Sequence, residues 1–330
     1  MIAGSEPSRL VALLQLINRL PLPPPPVKRG RGRPVVYQDR LFLQGLVLML
    51  VRRLETVSRL VAVLAEPTAA MAQVRAVVAE PYGRLPDRRT WERRLARAPA
   101  RLPAQIGCLG RALVALVGAG AEHGRAVALA SPRLRAPGGV WHAKQRAALQ
   151  APIVTCDGQA DWGQSGWHGW VYGWKLHLAA VVAGVFIPLA AEVTWASVHA
   201  ATVAPRRRRE VPLDPRFVLG DTHYQTPALH QACAHQGRTL IASQWSPAPP
   251  DDPGKPVRAI FHALRHRTSE HLNELVKDLF GLHGPVPTTG LVNTRRYVLG
   301  AIFVYQLTLW YRFEHQLPLN VGLKAFLRAA

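Results

Sequence analysis

Apolar positions recur along this chain with two different periods. Residues 8–20 (SRLVALLQLINRL) repeat at helical spacing, as do 39–53, 55–64, 69–79, 88–98 and 103–117, with breaks at Pro67, Pro81 and Pro86. Beyond Gly118-Ala119-Gly120 the pattern changes. Short apolar runs at 126–130, 216–220 and 239–243 predict strands. The stretch 167–194 predicts a long antiparallel hairpin, because aromatic and β-branched residues flank a turn at Ala183-Gly184. Helices are expected over 227–236, 260–280 and 297–313, the last an apolar element that closes the core. The runs 205–209 (PRRRR) and 247–256 read as loops, and no internal repeat is visible.

Strand, hairpin, strand-helix-strand and closing helix is the order of an RNase H-like α/β domain. The expected fold class is α/β, an RNase H-like mixed sheet with flanking helices, preceded by an all-α helix-turn-helix-like domain. Residues 1–35 form an N-terminal helix and a basic Pro/Gly-rich linker, 36–120 the helical domain, and 121–330 the α/β domain.

Charge narrows the function. Lys and Arg number 41 against 20 Asp and Glu, a net +21 that opposes folding by self-repulsion and suits a polyanionic partner, nucleic acid first of all. An Arg-rich composition bias is the competing source of that charge. Arg29, Arg31 and Arg33 lie in a Gly-interrupted tract, Val27 to Pro34, that reads either as a minor-groove-binding segment or as a solvated linker. Arg88, Arg89, Arg93, Arg94 and Arg97 crowd one helix behind the N-cap candidate Asp87. That helix either lies against DNA or is a solvated face with Trp91 and Leu95 turned to the core. Cys108, Cys156 and Cys233 form no CxxC pair, which fits a reducing cytoplasm, and no apolar run reaches the length of a membrane span.

Candidate chemistry lies at element ends. Phosphodiester cutting commonly uses two divalent metals about 4 Å apart, held by carboxylates that converge from separate elements. Asp221 ends the strand Phe217-Val218-Leu219-Gly220, where ligand sites of α/β sheets gather, although Asp after Gly is also an ordinary turn residue. Glu270 and Lys277 are two helical turns apart with Glu274 between them, a spacing that on its own is mostly surface decoration. His168, His177, His199 and His223 have no metal-site spacing and read as hydrogen-bonded or phosphate-facing.

Together these residues resemble the bacterial insertion-sequence transposases of the DDE type, over nearly the whole chain. The resemblance rests on Gly32-Arg33-Pro34 with Tyr37, the run Leu85 to Leu95, and Gly138-Gly139-Val140-Trp141-His142-Ala143-Lys144. It continues through the hairpin Trp167-His168-Gly169-Trp170-Val171-Tyr172-Gly173-Trp174-Lys175-Leu176-His177, Val218 to Asp221 with Tyr224, and Gly290 to Arg296. It implies an enzyme that binds the inverted-repeat ends of its own element and cuts and joins DNA with an Asp-Asp-Glu triad and a two-metal Mg2+ (or Mn2+) site. It further implies double-stranded DNA as partner, a homodimer on paired ends and no membrane. Asp221 matches the second acid, Glu270 the third and Lys277 the lysine that follows. The first acid should end the strand at 126–130, and Ala130 stands there. A methyl group binds no metal, so the resemblance equally implies an inactive relic or a repressor that binds ends without cutting. Asp157 and Asp161, in the loop before the hairpin, are the substitutes available.

Overall fold

The computed structural model of the chain describes residues 8–24, 36–80, 82–118, 126–152, 154–165, 169–182, 184–208, 215–243 and 254–330. Helix α1 (Arg9–Arg19) starts where the Ser8 hydroxyl accepts the Val11 N–H, and it buries Leu10, Leu13, Leu14 and Ile17. It is followed by α2 (Asp39–Val51), α3 (Val57–Ala65) and α4 (Ala69–Ala79), the last two capped by Thr56 and Thr68. In α5 (Arg88–Arg97), the Asp87 carboxylate accepts the Thr90 N–H at 2.7 Å while Trp91 and Leu95 are buried. Trp91 seats against Gly45 of α2, where an added Cβ would come within 2.3 Å of its ring. A 3-10 turn (Ala98–Ala100) leads to α6 (Leu102–Val117).

A seven-stranded mixed sheet follows. Its elements are β1 (Ala126–Ala130), β2 (Arg133–Arg135), α7 (Ala143–Ala147), β3 (Asp161–Ser165), β4 (Gly169–Val181), β5 (Ile187–Trp195), α8 (Ala200–Arg208), β6 (Phe217–Gly220), α9 (Pro227–Ala234) and β7 (Thr239–Ala242). The long strand β4 organises it. Antiparallel β1 and then β2 line one edge of β4, and β5 and then β3 line the other. Gly173 is squeezed between Arg135 and Asp161, and an added Cβ there would meet the Leu134 carbonyl at 2.1 Å. From β1 the sheet continues through β6 to β7, all three parallel, giving the order β5-β4-β1-β6-β7.

The expected 260–280 helix begins earlier and is interrupted: α10 (Lys255–Arg265), a π turn (His266–Glu270) and α11 (His271–Phe280) run on without a break. Helices α12 (Leu291–Glu314) and α13 (Leu323–Arg328) complete the chain. The basic run expected as a loop at 205–209 is, through Arg208, the end of α8. Pro205 signals a break, but the helix-forming Ala200-Ala201-Thr202-Val203-Ala204 ahead of it carries the turn through.

One apolar core joins α1, α2, α5, α6, α12 and the α6-facing side of the sheet. Helix α12 is its axis: Gln306 is fully buried and donates to the carbonyls of Ile106 on α6 and Pro188 on β5. Of the helices before residue 120, α6 packs directly on β5 of the sheet. Among the described residues no single helix is long and apolar enough to cross a membrane.

Candidate functional site

Parallel pairing of β1 with β6 places Ala126, Val127 and Ala128 opposite Phe217, Val218 and Leu219. Carried two residues further, this register sets Ala130 beside Asp221, on strands about 5 Å apart. Gly220 is required just before Asp221, because the chain folds into a 3-10 turn (Thr222–Tyr224) and a Cβ on Gly220 would lie 2.7 Å from that of Tyr224. Asp221 caps this turn by accepting the His223 N–H at 2.9 Å, and the His223 ring nitrogen stands 3.5 Å from the same oxygen.

The π turn packs against β1. Its last residue, Glu270, meets His266 Nε2 at 2.8 Å and the Arg265 guanidinium at 3.8 Å. One extra residue in the turn changes the angle at which following side chains leave the helix, and such turns are frequent at functional sites. Lys277 is largely covered and bonds Glu274 at 3.0 Å.

Ala130, Asp221, Glu270 and Lys277 all line one open cleft of about 680 Å³. Arg133, Lys175, Arg265, His199 and His223 line it too, with Trp162 and Trp170 on its wall. Arg133 and Lys175 are cross-strand partners on β2 and β4. Lys175 is only 5% exposed; burial first, and Arg133 second, push its pKa down to about 8 against the pull of Asp221. The pKa of His199 is lowered by burial, then by Lys175 and His223. The sequence reading missed Arg133 and Lys175 as site residues. Lys175 carried a signal, a charge inside an otherwise apolar strand.

Residues 141–278 match the family model of the transposase DDE domain. Over that stretch the chain carries a transposase DDE domain. Among the curated proteins and among the solved structures nothing matches the chain.

The match covers Asp221, Glu270 and Lys277 and begins after β1, so Ala130 lies outside it. Among the described residues that line the cleft, Asp221 and Glu270 are the only acids. Asp157 is buried, its Oδ2 accepting the Gly290 N–H at 2.6 Å and its Oδ1 the Gln159 N–H at 3.1 Å. Asp161 pairs with Arg146 at 2.9 Å. Among the described residues no group of three His, Cys, Asp or Glu side chains could hold a metal ion. Two carboxylates, each already met by a histidine, beside a methyl group and a buried lysine do not fit a two-metal centre.

Of the arginines expected on DNA, Arg29, Arg31 and Arg33 lie outside the described residues, as do Trp167 and His168 of the hairpin motif. On α5 the chain exposes Arg89, Arg93 and Arg97 in one row at four-residue spacing, and Arg88, exposed off that row, pairs with Glu92 at 2.8 Å. Arg94 turns inward. It bonds Asp39 at 2.5 Å and the Tyr37 carbonyl at 3.2 Å, over the Phe42 ring at 4.6 Å, so it ties α5 to α2. His177 is buried beneath the cleft against Thr194 at 2.8 Å.

Proposed function

We propose that this chain is an insertion-sequence transposase that binds the inverted-repeat ends of its own element and holds them in the cleft without cutting them efficiently. The family reaction is in-line phosphoryl transfer at those ends, with water and then a freed 3′-hydroxyl as nucleophiles, ending in strand transfer to target DNA. The strand order β5-β4-β1-β6-β7, with β6 and β7 parallel to β1, supports an RNase H-like catalytic region over 121–330. The exposed arginine row of α5 supports a helix-turn-helix-like, DNA-gripping region over 36–120, with the tract before it adding phosphate contacts. Asp221 and Glu270 are the acids that would hold metal once a third carboxylate ended β1, Lys277 is the phosphate contact, and two copies act on paired ends.

The observation that carries the reading is Ala130, at the end of β1, lining the same cleft as Asp221 and Glu270. Binding needs the basic surfaces, which are intact, whereas cutting needs the carboxylate that is absent from the end of β1. Purified protein is incubated with labelled duplex carrying the element ends, with Mg2+ or Mn2+. The unmodified chain shifts the duplex and leaves it whole, Ala130→Asp nicks it, and Asp221→Ala added to that variant abolishes nicking. Cleavage by the unmodified chain that Asp221→Ala removes refutes the non-cutting part. Equal affinity for ends and unrelated duplex refutes end recognition.

A further inference from the structure

We propose that Arg133, Lys175 and Arg265 form a seat for one DNA phosphate that works without divalent metal, on the floor of the cleft beside Ala130. The inference deepens the reading above and rests on the cleft facing DNA.

Its first support is charge. Four basic side chains line the cleft (Arg133, Lys175, Arg265 and Lys277) against two carboxylates, Asp221 and Glu270. Each carboxylate is already engaged, Asp221 by the His223 N–H and ring, Glu270 by His266 and Arg265. Lys277 is engaged by Glu274. Arg133 and Lys175 meet only carbonyl oxygens in direct bonds, those of Gln164 and Val198. Their charge is therefore solvated by dipoles and by the more distant Asp221 rather than matched by a contacting anion.

Unmet donors are the second support. Arg133 Nε and Arg265 Nε are both buried with no hydrogen-bond partner. A buried donor left without an acceptor is destabilising and calls for an explanation. Both belong to guanidiniums lining the same cleft, and a phosphate oxygen is the acceptor that answers charge and donor together. The third support is the methyl of Ala130. With Asp in its place a carboxylate would stand next to Asp221 and repel a phosphate unless a metal intervened; with Ala the floor is cationic on its own. Losing the acid thus changes the cleft from one that needs metal to admit DNA into one that does not.

The test is fluorescence anisotropy of a short labelled duplex in EDTA and in Mg2+, with inorganic phosphate as a second probe followed by 31P line broadening in EDTA. The unmodified chain binds the duplex equally in both buffers and broadens the phosphate line. Arg133→Gln, Lys175→Gln and Arg265→Gln each weaken duplex binding in EDTA by about tenfold, the scale of a charge-assisted hydrogen bond, and sharpen the phosphate line. Ala130→Asp loses binding in EDTA and regains it in Mg2+. This variant and Arg265→Gln, both at half-buried positions, carry the test if removing the buried Lys175 unfolds the protein. Duplex binding by the unmodified chain that vanishes in EDTA, or variants that bind like it there, overturns the seat while leaving end binding intact. Failure to bind any duplex in either buffer overturns the functional reading instead. Phosphate broadening lost in the variants would then still support the seat, and no broadening would overturn it.

Discussion

The clasp on the N-terminus of α12 yields a stability prediction that can be worked from distances. Asp157 holds two backbone donors, the Gly290 N–H at 2.6 Å and the Gln159 N–H at 3.1 Å, and Gln159 Oε1 in turn accepts the Leu291 N–H at 2.9 Å. The Gly290 and Leu291 N–H groups are orphan donors of a 24-residue helix, supplied with acceptors from a loop more than a hundred residues away in sequence, while the Gln159 bond holds that loop in shape. No side chain of the helix's own flank caps it, since Gly290 is the N-cap residue and stands at φ 77°. A hydrogen bond to a charged group is worth about 1.5–3 kcal/mol. Asp157→Ala removes two such bonds at a buried site, so it costs about 3–5 kcal/mol, a large part of the roughly 5–15 kcal/mol that holds a domain together. Asp157→Asn keeps one acceptor oxygen and costs about half as much. Urea unfolding followed by tryptophan fluorescence measures both. A loss under about 1 kcal/mol for Asp157→Ala, or equal losses for the two variants, would refute the claim that this carboxylate caps α12.

Three more outcomes are expected. Ala130→Asp sets two carboxylates about 5 Å apart, a repulsion of about 3 kcal/mol at an effective dielectric of about 20, offset in part by Lys175 and Arg133; it melts below the unmodified chain in EDTA, and Mn2+ raises its Tm but not that of the unmodified chain. Lys175 has a pKa of about 8 in the fold against 10.5 ordinarily, so the unfolded chain binds its proton more tightly and stability rises as pH climbs between those values. In Lys175→Met that rise, read as Tm against pH, is gone. Trp170 is 65% exposed on the cleft wall, and stacking on one base is worth about 1–3 kcal/mol; Trp170→Ala weakens binding to ends with unpaired nucleotides more than to blunt duplex, and equal weakening counts against stacking.

Much of the fold was legible because periodicity is a local property. β1 and α4 begin and end where the apolar pattern does, and the hairpin shows in its aromatic and β-branched run. Strands β2 and β3, three and five residues long, are too short to show alternation and exist because β4 offers them an edge. The carboxylates could be named from their positions at element ends. The pairing of Arg133 with Lys175 could not, since it depends on the register of two strands some forty residues apart. Arg94 is an intermediate case: it follows Trp91 by three and adjoins Leu95, which already places it toward the buried side of α5. The π turn before Glu270 left no sequence trace, and the helix was expected to be regular.

Ala130 is paired with Leu178 on one side and, by continued register, faces Asp221 on the other, and β1 forms its ladder with alanine there as it would with aspartate. Backbone pairing is indifferent to that side chain, so the strand ladder forms whichever of the two residues ends β1. An alanine codon ending in a pyrimidine becomes an aspartate codon through a single base change. The proposed end-binding chain would differ from a cutting one, with aspartate there, by a single side chain, and as it stands it would compete for the same DNA ends.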